Sequence, residues 1–253
     1  MYRPRLIPAL LLQGNGLVKT VKFGSPRYIG DALHAVHLFN EFKADELLFL
    51  DINATREQRC IAVELVKSIG EEANMPFAVG GGINSLNEVE ALLKAGAERV
   101  VVGTSAARNP KLVREISEEF GASTLAVCVD IKQGIFGGLS VVVKNGKEKV
   151  TSNFHEYILR IQDLGAGELI IQSVDRDGMM NGYDVSRILS VINELSIPVT
   201  TIGGLDSLTT LKNLHPSLKL NGYAAGSLFV YQGKHKGVLI NYPNKDELEN
   251  LFK

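Results

Sequence analysis

The sequence predicts an α/β fold: a (β/α)8 TIM barrel built from two half-barrel repeats, with a β-hairpin inserted after the fifth strand. Three observations predict it. Eight short apolar runs alternate with amphipathic stretches of helical period. The runs are apolar nearly throughout, as parallel strands covered on both faces are. A glycine-rich motif recurs half a chain later: "MPFAVGGGINSL" from Met75 and "IPVTTIGGLDSL" from Ile197 lie 122 residues apart in a chain of 253.

In chain order the predicted strands are Leu6–Leu12, Glu46–Ile52, Pro76–Gly80, Arg99–Gly103, Thr124–Asp130, Glu168–Ser173, Pro198–Ile202 and Gly222–Gly226. Helical patterns such as "SLNEVEALLKAGAERV" and "FHEYILRIQDLGAGEL" lie between them. Eight strand–helix units in a chain of this length fit a closed barrel better than an open doubly wound sheet. In "LSVVVKNGKEKV", Asn145-Gly146 between two valine-bearing arms predicts a hairpin with a two-residue turn. Residues 1–253 are read as one barrel domain.

Composition narrows the function. Hydrophobic residues make up 45% and charged residues 22%, and the formal net charge is −1, so nothing points to a nucleic-acid or membrane surface. No apolar run approaches the ~20 residues that span a bilayer. The N-terminus leads straight into a strand rather than into a signal-peptide core. Cys60 and Cys128 are read as reduced, buried thiols of a cytoplasmic protein. No cofactor is expected. His34 and His37 are three apart, but no third ligand is apparent and no metal site is expected.

The repeat brings chemistry with it. Gly81 and Gly82 match Gly203 and Gly204, and Gly103-Thr104 is echoed by Gly226-Ser227. Glycine lets backbone N–H groups approach an anion, and the loops after strands seven and eight are the usual phosphate site of barrels. The matched pair predicts a ligand with phosphate at both ends, lying across the barrel mouth. Glycines that only make tight turns are the plainer alternative.

"FLDINAT", "VGGGI", "GASTLAVCVDIK", "GAGELIIQSVDRDG", "NGYD" and "IGGL" occur in order over nearly the whole chain. The sequence resembles the cyclase subunit of imidazole glycerol phosphate synthase, and resembles the sister isomerase of histidine biosynthesis less. The resemblance implies a separate glutaminase subunit on the N-terminal face of the barrel. Ammonia released there would cross the barrel core and attack a doubly phosphorylated ribonucleotide at the other end. Two aspartates, at the ends of strands one and five, would then act as general acid and base. It also places Lys19, Asp177 and Gly178 near phosphate, and makes Arg5, Glu46, Arg99 and Glu168 a charged ammonia gate at the base; in the family one basic member is commonly lysine, and here it is Arg99.

Strand five keeps its carboxylate as Asp130. Strand one, "IPALLLQGNG", presents Leu11 where the partner belongs, and no Asp or Glu lies between Met1 and Asp31. Leucine exchanges no protons and would tend to raise the pKa of a nearby carboxyl. The gate is thus expected to persist while the cyclisation pair is broken. Paralogues with this leucine-rich first strand resemble the chain closely. They imply a glutaminase and barrel that feed ammonia to a third protein, an ATP-dependent amidotransferase making an acetamidino nucleotide sugar for surface polysaccharide. Two alternatives stay open: a genuine histidine-pathway cyclase, and a non-catalytic scaffold or activator of the glutaminase. Asp51 is read as a substrate contact or an Asx-type cap, the first residues of "DRDG" as turn-forming, and Lys234, His235 and Lys236 as a solvated loop.

Overall fold

The computed structural model describes residues 3–134, 138–218 and 220–252. Eight parallel strands close into a barrel: Arg5–Gln13, Leu47–Asp51, Phe77–Gly80, Arg99–Val102, Leu125–Gln133, Glu168–Ser173, Val199–Ile202 and Gly222–Ala225. The first pairs with the eighth through Arg5↔Gly222 and with the second through Ala9↔Leu48. The fifth pairs with the sixth through Glu168↔Ala126, and the half-barrels meet where the fourth pairs with the fifth through Val100↔Leu125 and where the eighth pairs with the first. Each apolar run predicted as a strand forms one, shifted at its ends by up to three residues. The largest shift is in strand five, which continues to Gln133 because its last residues pair with the inserted hairpin.

Outward-facing strand residues pack under the helices. The main core joins Leu6, Leu10 and Leu12 of strand one to Phe39, Val66 and Val89 of the surrounding helices. Helix Leu86–Lys94 starts at a reciprocal capping box between Ser85 and Glu88, the arrangement that the serine of the repeated motif allows. Inward-facing residues form a second, smaller cluster that includes Ile7, Ala9, Leu48, Val101, Ile170 and Ile202. Alternation is what separates the two cores, because successive strand side chains point to opposite faces.

Two insertions rise from the C-terminal ends of the strands. The predicted hairpin is present, with arms Leu139–Val143 and Glu148–Thr151. Its loop is four residues, 144–147, rather than two: Val143 pairs with Glu148, and Lys144, Asn145 and Gly146 all take positive φ. The second insertion was not predicted. After strand one the chain turns at Gly14 and returns as Gly16–Lys19, antiparallel to Leu11–Gln13; Arg27–Asp31 then pairs with that return strand. The result is a strap over one side of the mouth.

Gly82 shows why the glycine motif is strict. Its φ is +66°, and a Cβ there would lie 1.8 Å from the Arg59 carbonyl oxygen. Gly82→Ala is expected to cost about 1–3 kcal/mol from backbone conformation alone, and more from the collision. Urea unfolding followed by circular dichroism checks this, with Gly14→Ala as comparison, since a Cβ at Gly14 meets nothing within 4 Å at a similar φ of +60°.

Candidate functional site

The first strand runs the length of the barrel and points every second side chain inward: Arg5 at the base, then Ile7 and Ala9, then Leu11 at the mouth. The same alternation on strand five points Ala126, Cys128 and Asp130 inward, and on strand six Glu168, Ile170 and Gln172. The base, the neck and the mouth therefore have different chemistry.

At the base, Arg5, Glu46, Arg99 and Glu168 form one ion-paired ring. Arg5 Nη1 lies 2.5 Å from Glu46 Oε2 and its Nη2 lies 2.6 Å from Glu168 Oε1. Arg99 Nη1 bonds Glu168 Oε2 and lies 3.6 Å from Glu46 Oε1. Thr200 Oγ1 donates to Glu168 Oε1 at 2.5 Å, a fifth member that strand-start charges could not reveal. Burial disfavours the charge on Arg5, but the carboxylates of Glu168 and Glu46 outweigh it and hold the guanidinium pKa above its ordinary value. Two positive and two negative groups make the buried ring neutral, the condition under which such charges are tolerated.

At the mouth, a cavity of about 490 Å³ is lined by Leu11, Asp51, Gly82, Thr104, Cys128 and Asp130, among others. Leu11 is buried, at 6% exposure. Burial pushes the Asp130 carboxyl up to about 7; a contact from Cys128 Sγ at 3.8 Å works against that rise, and the charge of Asp177 adds to it. Cys128 Sγ also lies 3.6 Å from Gln172 Oε1. Both cysteines are free and half-buried rather than fully buried, and Cys128 faces the cavity instead of the outer core. Cys128 and Gln172 were missed as cavity residues, although counting by twos from Asp130 and Glu168 reaches them.

The two glycine loops sit in separate places. Gly81, Gly82, Gly103 and Thr104 line the large cavity. Lys19, Asp177, Gly178, Gly203, Gly204, Gly226 and Ser227 line a small neighbouring pocket of about 20 Å³. Leu11 and Gln172 line both. Lys19, read as a phosphate ligand, is buried and paired with Asp177: Nζ lies 2.7 Å from Oδ1. Asp177 also accepts from Thr20 Oγ1 at 2.7 Å and from the Phe23 backbone N–H at 3.1 Å, tying the strap to the loop after strand six.

Other residues have structural work. Asp51 Oδ1 accepts from the backbone of Asn53 and Ala54 and its Oδ2 pairs with Arg59 at 2.6 Å, so it caps a turn rather than a helix. Asp175 accepts from the Gln133 backbone N–H, and Arg176 donates to the Asn181 carbonyl. His37 pairs with Glu72 on the surface, and among the described residues no cluster suits a metal ion. Lys234, His235 and Lys236 are exposed between two short strands, Tyr231–Gln232 and Gly237–Val238. Among the described residues no helix is long and apolar enough to cross a membrane.

Comparison with known proteins decides the family. The model described as "Histidine biosynthesis protein" matches residues 5–236. This chain belongs to the histidine-biosynthesis protein family. Within it, the chain is similar to the cyclase subunits of imidazole glycerol phosphate synthase. It is 44% identical, over the full length of both chains, to a Leptospira borgpetersenii protein named "Putative imidazole glycerol phosphate synthase subunit HisF". It is 38% identical to a Pseudomonas aeruginosa protein of the same description, numbered hisF2, over 98% of this chain and 99% of that one. It is 33% identical to the imidazole glycerol phosphate synthase subunit HisF of Alkaliphilus metalliredigens over 91% and 92%. Membership in the histidine-biosynthesis family accounts for the paired glycine loops and the order of the motifs.

The Asp130 environment has a pH signature. Its carboxyl is protonated more readily in the folded protein than in the unfolded chain, so the folded state binds the extra proton between about pH 4 and 7. Stability contributed by the neutral acid is present at low pH and lost as pH rises through that window. Asp130→Asn is expected to flatten this part of the stability–pH curve. Denaturant unfolding at pH 5 and pH 8, for both proteins, checks the sign.

Proposed function

We propose that this chain is the ammonia-relaying barrel of a glutamine amidotransferase complex whose acceptor lies outside histidine synthesis. One observation carries the proposal: Leu11 occupies the inward position at the mouth where, beside Asp130, a second proton carrier is needed. Removing one general acid or base typically costs 10²–10⁴-fold. The opposite end supports the relay half of the reading. A neutral ring of Arg5, Glu46, Arg99 and Glu168 leads to an apolar neck that includes Ile7, Ala9, Leu48, Val101, Ile170 and Ile202. Ammonia is nucleophilic only while unprotonated, and a water-poor neck favours the neutral molecule.

In this reading a glutaminase subunit docks on the N-terminal face and supplies ammonia to the ring. The acceptor is a third protein, an ATP-dependent amidotransferase that converts an acetamido group on a nucleotide sugar into an acetamidino group for surface polysaccharide. The barrel is cytoplasmic, as a partner of nucleotide-sugar chemistry would be. The glycine loops hold a phosphorylated small molecule at the mouth. A histidine-pathway cyclase working with Asp130 alone is the competing reading, and the test separates the two.

Purified protein is given the family's doubly phosphorylated ribonucleotide and excess ammonium at mildly alkaline pH, beside Leu11→Asp. Little or no turnover by the unmodified protein is expected, with the substitution raising it at least about tenfold. Robust turnover by the unmodified protein overturns the proposal and favours the cyclase. Glutamine labelled with ¹⁵N in its amide, followed into the sugar product with glutaminase and amidotransferase present, tests the relay itself.

A further inference from the structure

Three polar groups meet where the apolar neck opens into the large cavity, and none of them has a strong partner. Asp130 and Gln172 are register partners across strands five and six, and Cys128 lies two residues below Asp130 on the same inward face. The next inward residues below are Ala126 and Ile170 of the neck. Cys128 Sγ is 3.8 Å from Asp130 Oδ1 and 3.6 Å from Gln172 Oε1. Among the described residues neither oxygen has another hydrogen bond. Gln172 is 5% exposed, and a buried amide oxygen whose one contact is a thiol is under-satisfied.

The thiol cannot serve both oxygens. Burial, and after it the Asp130 charge, pushes its pKa well above the ordinary value, so its single proton stays on sulfur. At least one of the two oxygens therefore faces the cavity without a donor. Two oxygens and a sulfur drawn together ask for a small ligand rich in N–H donors. The charge of the site is at most one carboxylate: Asp51, the other lining carboxyl among the described residues, is spent on Arg59 and two backbone N–H groups. A divalent metal ion wants more hard ligands than these three groups supply.

We infer that Cys128, Asp130 and Gln172 form a holding site for one ammonia, kept as an ammonium ion that donates to Asp130 Oδ1, Gln172 Oε1 and Cys128 Sγ. The inference rests on the relay reading and adds a stop at the end of the neck. Its proton balance closes. The neutral Asp130 carboxyl gives its proton to the arriving ammonia, the stronger base, and an ion pair forms. When an acceptor takes the nitrogen, the proton returns to Asp130 and ammonia leaves as the neutral nucleophile. Burial readies the first step, because it pushes the carboxyl of the empty site up to about 7.

Titration of the whole chain with ¹⁵N-ammonium chloride at pH 6 and pH 8, read by NMR line broadening and by calorimetry, tests it, with potassium and tetramethylammonium chlorides for comparison. One equivalent of ammonium is expected at pH 8, with tetramethylammonium at least about tenfold weaker because it donates no hydrogen bond. At pH 6 the ion must displace the carboxyl proton, so binding should be about tenfold weaker and release about one proton. Gln172→Met keeps the length of the side chain without its oxygen and should weaken ammonium about tenfold. Asp130→Asn should abolish saturable binding. No saturable binding to the unmodified protein at pH 8 overturns the inference, as does potassium or tetramethylammonium binding as tightly as ammonium. Binding unchanged by both substitutions also overturns it. Nitrogen transfer from glutamine to product without saturable ammonium binding removes the holding site and leaves the relay standing; ammonium binding without nitrogen transfer overturns the relay alone. The selectivity of the unmodified protein decides the question even if a variant does not fold.

Discussion

The two-residue period of a closed parallel barrel governs the rest of this molecule. Once Arg5 points into the base, Ile7, Ala9 and Leu11 must point inward too, because a slip of one residue would turn the whole column outward. Closure removes the edge along which a strand could shift. Strand one is gripped on both sides over different residues, by strand eight near Arg5 and by strand two near Leu11. Leu11 therefore cannot leave the mouth without dragging Arg5 out of its ring. The absence of a carboxylate at position 11 is a property of the site, and no local rearrangement of the first strand hides one.

That constraint separates two tasks that one barrel can perform. The base ring is self-neutralising and tightly bonded, and losing one partner would leave a buried charge, at a typical cost of about 3–5 kcal/mol. The mouth is under no such demand. A leucine packs beside Leu50 and against the cavity at no electrostatic cost, while Asp130 stays behind with its carboxyl pushed up by burial. Chemistry at the mouth can thus be lost without disturbing the charged entrance, which is the asymmetry behind the relay reading.

Much of this was legible in the sequence, and what was not has a physical explanation. Continuous apolar runs mark strands buried on both faces, so all eight barrel strands were visible. Arg5 and Glu168 could be proposed as partners because both begin strands, although 163 residues separate them. The strap strands Gly16–Lys19 and Arg27–Asp31 were invisible because they are short and rich in glycine and charge; pairing with Leu11–Gln13 makes them, not their own propensity. The pairing of Lys19 with Asp177 was hidden for a related reason. Each residue alone suits a phosphate loop, and only the strap brings them to 2.7 Å. The hairpin signal at Asn145-Gly146 was sound, but its four-residue loop depends on Lys144 also adopting positive φ.

The glycine repeat shows how far a motif carries. Gly82 and Gly204 each take positive φ, and each has backbone where a Cβ would go, the Arg59 carbonyl oxygen at 1.8 Å and the Gly182 carbonyl oxygen at 2.3 Å. Both are required by the fold whether or not an anion ever arrives. The turn itself thus demands glycine, and a repeat in glycine alone does not establish a repeat in function. Charge is the more sensitive record, because a cation left unpaired near the surface costs little while one buried without a partner costs much. Arg56, after strand two, and Lys147, in the hairpin after strand five, are exposed, whereas Lys19, in the strap after strand one, is buried and matched by Asp177. The two glycine loops share a backbone shape, and the cations that line the pockets beside them differ in burial and pairing.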